Sequence, residues 1–400
     1  MGTMAWKLTA AAALSIAVAF ASAAPANAVT FTVLHTFTGG SDGANPLAGL
    51  TIDRSGNLYG TAENGGVGYG TAFELKHRGS GYAFEVLYSF ASGTDGAAPA
   101  ARVMPGPQGR LYGTASQGGG GGGTVFDLGR SKRDPRKERS LYRFVGSGNG
   151  YQPSSGDLAF DANGGIYGTT TDGGAYGGGT VFRLTRSHGG WTETILHSFG
   201  GIGDGTNPVA GVVFDGAGNL YGTTSAGGAS GNGTVFEVTP SGSGWTENIL
   251  HSFAAAADGS VPYAGLTFDG AGNLYGAATD GGTNGGGTIF ALTPSSGGWA
   301  FNVVYSVPGW GISGPFRTPL VDANGDVFGT THCDGAYSSG SVFELTRSGS
   351  VWTYTSLHDF TGGSDGQYVF ANPVFDAHGN IYGTTQVGGS GYGVVWEVSP

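Results

Sequence analysis

Residues Pro208–Phe253 read PVAGVVFDGAGNLYGTTSAGGASGNGTVFEVTPSGSGWTENILHSF. Four short apolar runs lie within them. Val209–Asp215 is apolar and ends in Asp, and Asn219–Thr224 carries Leu220 and Tyr221. Thr234–Thr239 carries Val235, Phe236 and Val238. Trp245–Phe253 alternates, which puts Trp245, Glu247, Ile249, His251 and Phe253 on one face. Gly-rich turns separate all four, the pattern of consecutive antiparallel strands.

The unit recurs along the chain. Its aromatic-Gly pair stands at Tyr59, Tyr112, Tyr167, Tyr221, Tyr275, Phe328 and Tyr382, each followed by Gly, at spacings of 53 to 55 residues. A second aromatic follows each pair: Phe73, Phe126, Phe182, Phe236, Phe290, Phe343 and Trp396. A third marker, aliphatic-His/Tyr-x-Phe or a close variant, places His35, Tyr88, Tyr142, His197, His251, Tyr305 and His358. Seven units of four strands predict an all-β, seven-bladed β-propeller of four-stranded antiparallel blades, because one such sheet cannot bury both faces alone and a ring of them can. The segment Thr30–Phe37 reads as a fourth-type strand, and Gly393–Val398 ends the chain on a third-type strand. The N-terminal strand therefore completes the last blade, closes the ring and removes two sheet edges. An open solenoid would leave it unpaired.

The 82 glycines recur at fixed places between apolar strands, so they signal a repeat and not low complexity. Net charge is -11, which argues against nucleic-acid partners. Cys333 is the one cysteine, so no internal disulfide holds the fold. Residues 1–28 read as a cleaved signal peptide, with Lys7 before the apolar run Leu8–Phe20 and a small-x-small site at Ala26-Asn27-Ala28. The expectation is an exported single propeller over 29–400, extracellular or at the periplasm or cell surface, monomeric and without a transmembrane segment.

The elements Gly-Asn-Leu-Tyr-Gly-Thr-Thr, Gly-Gly-x-x-Gly-x-Gly-Thr-Val-Phe and Leu-His-Ser-Phe resemble the GloVer tandem-repeat family of exported bacterial proteins. The resemblance covers essentially the whole mature chain and implies a repeat architecture without implying an activity. Members of that family often carry a C-terminal anchor. No such signal is visible here, so a free exported protein is expected.

Two aspartates recur. Asp53, Asp161, Asp215, Asp269, Asp322 and Asp376 end the inner strand and read as hairpin-turn residues. Asp42, Asp95, Asp204, Asp258 and Asp365 sit in the loop entering the inner strand. They read as turn residues too, since calcium needs several oxygens converging on one point. The recurring histidines alternate with tyrosine between repeats, which fits packing. No metal, nucleotide, flavin or haem is expected.

Function is sought where the repeat fails, because repeated residues already serve the scaffold. Gly129–Phe144 reads GRSKRDPRKERSLYRF. Arg130, Lys132, Arg133, Arg136, Lys137 and Arg139 form a candidate patch for an anionic partner, against the simpler reading of a solvated loop. The sixth repeat diverges twice. Its entering loop, Val307–Arg317, adds Trp310, Phe316 and Arg317, and the loop Thr331–Tyr337 brings His332, Asp334 and Tyr337. Both loops should open on one face near the axis, where Trp310, Phe316, Arg317, His332 and Tyr337 form a candidate ligand site. Aromatic faces stack on sugars, and Arg binds carboxylates bidentately. The leading expectation is a propeller that binds extracellular polysaccharide or a protein. The alternative is an acidic-glycan lyase or a glycosidase with His332, Tyr337, Asp334 and Arg317 as catalytic candidates. A glycosidase needs a second carboxylate, and only the distant Asp157 offered one.

Overall fold

The computed structural model describes residues 29–400 apart from 130–137, 154–155, 243 and 310–313. Seven four-stranded antiparallel sheets form a seven-bladed β-propeller. The fourth blade runs Val213–Phe214, Leu220–Thr224, Thr234–Ser241 and Gly244–Ser252 from the axis outward. The seventh joins Val374–Phe375, Ile381–Thr385 and Val394–Ser399 to the N-terminal strand Thr30–Thr36. Thr30 pairs with Ser399 and Thr36 with Val394, so the ring closes as the terminal segments predict. Among the described residues no helix is long and apolar enough to cross a membrane.

Each apolar cluster spans a gap between neighbouring blades. Tyr167, Val181 and Phe199 of the third blade pack with Leu220, Phe236 and Val238 of the fourth. Tyr382 and Val395 of the seventh pack with Leu58, Phe73 and Leu75 of the first. Threonines of the second strand clasp the gaps: Thr169 Oγ1 donates to the Ala210 carbonyl at 2.8 Å, and Thr223 to that of Ala264 at 2.7 Å. These bonds explain why the inner strand is shorter than the sequence pattern suggests. Residues 209–212 approach the axis, where the Ala210 carbonyl is bound across a gap and not along a ladder.

The outer strand also departs from simple alternation. In each blade the register slips by one residue before the marker His or Tyr. In the fourth, Phe236 faces Ile249 and Val235 faces His251, so Leu250 is the extra residue. A bulge of this kind re-aims the side chains beyond it. Ile249 therefore turns out to solvent, 37% exposed, instead of sharing a face with His251.

The turn aspartates do what their spacing predicts. Asp215 accepts the N–H groups of Ala217 and Asn219, each at 2.9 Å, and the Tyr221 hydroxyl at 3.1 Å. Burial alone would raise the Asp215 carboxyl, but these bonds outweigh it and hold the group below its ordinary range.

Candidate functional site

The inner strands bring seven equivalent positions to the axis: Gly49, Arg102, Asp157, Gly211, Gly265, Thr318 and Asn372. The glycines are required by contact. A Cβ on Gly265 would lie 2.9 Å from Thr318 Oγ1, and one on Gly49 would lie 2.9 Å from Arg102 Cδ. The four polar members bind one another. Arg102 Nε donates to Asp157 Oδ2 at 2.9 Å, Asn372 Nδ2 donates to the same oxygen at 3.2 Å, and Thr318 N–H donates to Asn372 Oδ1 at 3.1 Å. Asp157 Oδ2 is thus engaged at the axis, and Asp334 lines a cleft that Asp157 does not border.

One step toward the loop face, alanine stands at 48, 101, 210, 264 and 371, while the sixth blade has Arg317. Its Nε donates to the Phe370 carbonyl, and Nη2 donates to that of Leu47 at 3.4 Å. Among the described residues no carboxylate forms a direct ion pair with it. Burial lowers its pKa to about 10, opposed by Asp157 and aided by Arg102. A further step out, Leu47, Val209, Tyr263, Phe316 and Phe370 surround a cup of about 250 Å³ with Arg317 in its wall. Tyr263 and Phe316 stack at 5.6 Å with their planes 14° apart, and Phe370 meets Phe316 edge-on at 5.2 Å. A second cavity of about 400 Å³, lined by Arg102, Asp157, Phe160 and Phe214, opens beyond the polar layer.

The sixth-repeat residues divide between two places. Phe316 and Arg317 face the cup. His332 lies behind its aromatic wall, 7% exposed, with ring centroids 5.0 Å from Phe316, 4.2 Å from Phe370 and 4.9 Å from Tyr368. Its Nδ1 is 2.9 Å from Cys333 Sγ. Burial, with Asp334 adding, raises the Cys333 thiol above its ordinary range, which fits an idle thiol. Tyr337 is 61% exposed. Trp310 and the basic residues Arg130, Lys132, Arg133, Arg136 and Lys137 lie outside the described residues. Arg139 is turned inward onto Asp127, a fully buried carboxylate that Arg110 also binds at 2.8 Å.

Asp334 faces a cleft of about 720 Å³ bordered by Tyr305 of the fifth blade and Tyr354 and Asp359 of the sixth. It accepts the Thr331 hydroxyl at 2.7 Å and the Ser341 hydroxyl at 3.2 Å. Burial raises its pKa, those two bonds lower it, and Asp359 raises it further, for a net upward shift. The sequence reading missed Asp359. The signal was present, since Leu357-His358-Asp359-Phe360 carries Asp where Ser89, Ser198, Ser252 and Ser306 stand in sibling repeats.

Two overlapping stretches, residues 20–208 and 132–318, match the model of the Gloeobacter/Verrucomicrobia repeat. The chain belongs to this repeat family. No curated protein matches the sequence of this Gloeobacter/Verrucomicrobia repeat protein. Its fold is similar to that of a candidate 6-phosphogluconolactonase from Bacteroides uniformis, at 18% identity and a TM-score of 0.52, over 78% of this chain and 84% of that one. A candidate gluconolactonase shows 15% identity and a TM-score of 0.43, over 78% and 90% respectively. At such identity the first likeness bears on the fold of the repeat protein alone, and function must be argued from its sites.

Proposed function

We propose that this is an exported ligand-binding propeller whose axial cup holds one sugar residue of an extracellular polysaccharide, with acidic sugars preferred. The observation that carries the reading is Arg317. A guanidinium replaces alanine at one position of the ring, borders an apolar aromatic cup, and spends two donors on backbone carbonyls. Its remaining donors suit a carboxylate. Tyr263, Phe316 and Phe370 supply flat apolar surface for the C–H face of a ring. The test is retention of the purified protein on neutral and uronic-acid polysaccharides. Binding that favours the acidic chains and falls in Phe316→Ala and Arg317→Met supports the reading. Equal retention of all three proteins sinks it.

The cleft of the sixth blade favours a second reading, glycoside hydrolysis. Asp334, whose half-buried carboxyl is shifted toward the protonated form, shares the cleft with Asp359, and glycoside hydrolysis uses a carboxylic acid together with a second carboxyl group. A lyase built on His332 and Tyr337 has less support, because His332 is sealed behind Phe316 and Phe370. Reducing ends released from a polysaccharide by the protein and lost in Asp334→Asn and Asp359→Asn would favour the hydrolase.

A further inference from the structure

In six gaps between blades the described residues bring together the marker His or Tyr of one outer strand, the residue of the entering loop that follows it, and one residue of the next outer strand. In three gaps the last residue is aromatic and the histidine lies flat on it. His35 stacks on Phe84, His251 on Phe301 and His358 on Phe31, each at 3.7 Å between centroids and 5° to 9° between planes. Each of those histidines also meets its loop aspartate, as His251 Nε2 meets Asp258 Oδ2 at 3.0 Å. In two other gaps the third residue is Glu and the marker is Tyr. Tyr142 donates to Glu193 Oε2 at 2.9 Å, with Asn149 in the aspartate's place. Tyr88 donates to Asp95 at 2.8 Å beside Glu138.

The gap between the third and fourth blades combines the two patterns. His197 Nε2 lies 3.0 Å from Asp204 Oδ2, and the position of Phe84 and Phe301 is taken by Glu247. The ligand atoms of His197, Asp204 and Glu247 all lie within 4.8 Å of one another. Among the described residues this is the one group of three His, Cys, Asp or Glu side chains so arranged. Glu247 Oε1 is sealed from solvent and has no hydrogen-bond partner. The matching oxygens Glu138 Oε1 and Glu193 Oε1 of the two Tyr gaps are orphaned too, but only in this gap does such an oxygen stand beside a His–Asp pair, which together make a donor set for a cation.

We propose that this gap is a binding site for a divalent transition-metal ion, held by His197 Nε2, an oxygen of Asp204 and an oxygen of Glu247. One imidazole and two carboxylates suit zinc or manganese, whereas calcium prefers an all-oxygen shell. Metal–ligand distances of about 2.0–2.2 Å require the three atoms to draw slightly together, a small movement for a glutamate side chain. Asp204 is already oriented for the task, since it accepts the N–H groups of Gly205 at 2.6 Å and Gly200 at 3.2 Å. Protein oxygens and nitrogen fill three positions and water completes the shell. The ion ties two outer strands together across the gap.

The experiment is calorimetric titration of zinc chloride, and separately of manganese and calcium chlorides, into the chelator-stripped full chain. Two variants keep the fold by copying sibling gaps. Glu247→Phe restores the aromatic under the histidine, and His197→Tyr copies the Tyr–Glu pair of Tyr142 and Glu193. The expected result is one equivalent of zinc or manganese bound by the native chain, with affinity about a hundredfold lower in each variant and a native circular dichroism spectrum in both. A rise of Tm with zinc should occur in the native chain and vanish in the variants. No binding by the native chain, undiminished zinc or manganese binding in both variants, or binding of calcium alone overturns the proposal.

Discussion

Gly222 and Phe236 face each other across the second and third strands of the fourth blade, and the phenyl ring fills the space a side chain on residue 222 would need. A Cβ there would lie 2.5 Å from Phe236 Cζ. The same pairing holds for Gly60 with Phe73, Gly168 with Phe182, Gly276 with Phe290 and Gly329 with Phe343. The two most regular marks of the sequence are thus one contact, written once per blade.

Gly222→Ala should therefore lower stability by about 1–3 kcal/mol through overpacking. Urea unfolding followed by far-ultraviolet circular dichroism reads the change. Gly222→Ala combined with Phe236→Leu should cost less than the two single changes added together, since the smaller side chain vacates the contested space. Strict additivity would show that the ring is not what excludes the methyl group.

Arg317 binds backbone carbonyls of two other blades, Phe370 of the seventh and Leu47 of the first. Arg317→Ala should cost about 1–3 kcal/mol, because two part-buried carbonyls lose charged donors. Arg317→Lys should recover part of the stability but little of any preference for acidic sugars, as a point charge lacks the guanidinium's fork. Denaturation and polysaccharide retention, measured on the same three proteins, separate the two effects.

Acid and base should act on different parts of the ring. Burial raises Glu193 to about 7, and raises Glu138 to about 8 with help from Asp95 and Asp127. A carboxyl raised in the folded state binds more protons folded than unfolded, so its contribution falls as pH rises from about 4.5 toward 8. The turn carboxylates Asp53, Asp161, Asp215 and Asp376 are shifted the other way by their hydrogen bonds, and their contribution is lost as pH falls through and below the ordinary value of 3.8. Stability should peak near about pH 5. Glu193→Gln should flatten the alkaline side of a Tm-against-pH curve, and an unchanged curve would refute the assignment.

The N-terminal strand closes the last blade, with Phe31 stacked on His358 at 3.7 Å and meeting Phe360 edge-on at 5.6 Å. Removal of residues 30–37 should expose the edge of Val394–Ser399 and the apolar surface around Trp396. The truncated chain should aggregate or melt well below the full chain, as read by size-exclusion chromatography and thermal scans. A monomer of native Tm would mean that the strand is not needed for closure.

What the sequence by itself determined is the ring. The number of blades, the four strands in each, the strand that closes the last one and the turn role of Asp215 and its equivalents all follow from spacing along the chain. Each depends on contacts within a repeat or on a count of repeats. Only the tertiary structure decided what meets across the axis and between blades. Arg317 reaches the carbonyl of Leu47, 270 residues away along the chain, Asp157 is claimed by Arg102 and Asn372, and Asp334 shares a cleft with Asp359, apart from the cup that Phe316 and Arg317 line. His197 and Glu247 are each unexceptional within their own repeats, and only the blade gap places both beside Asp204. The physical reason is that periodicity records what every repeat must do for itself, whereas a site is made by two different repeats placing unlike side chains against each other.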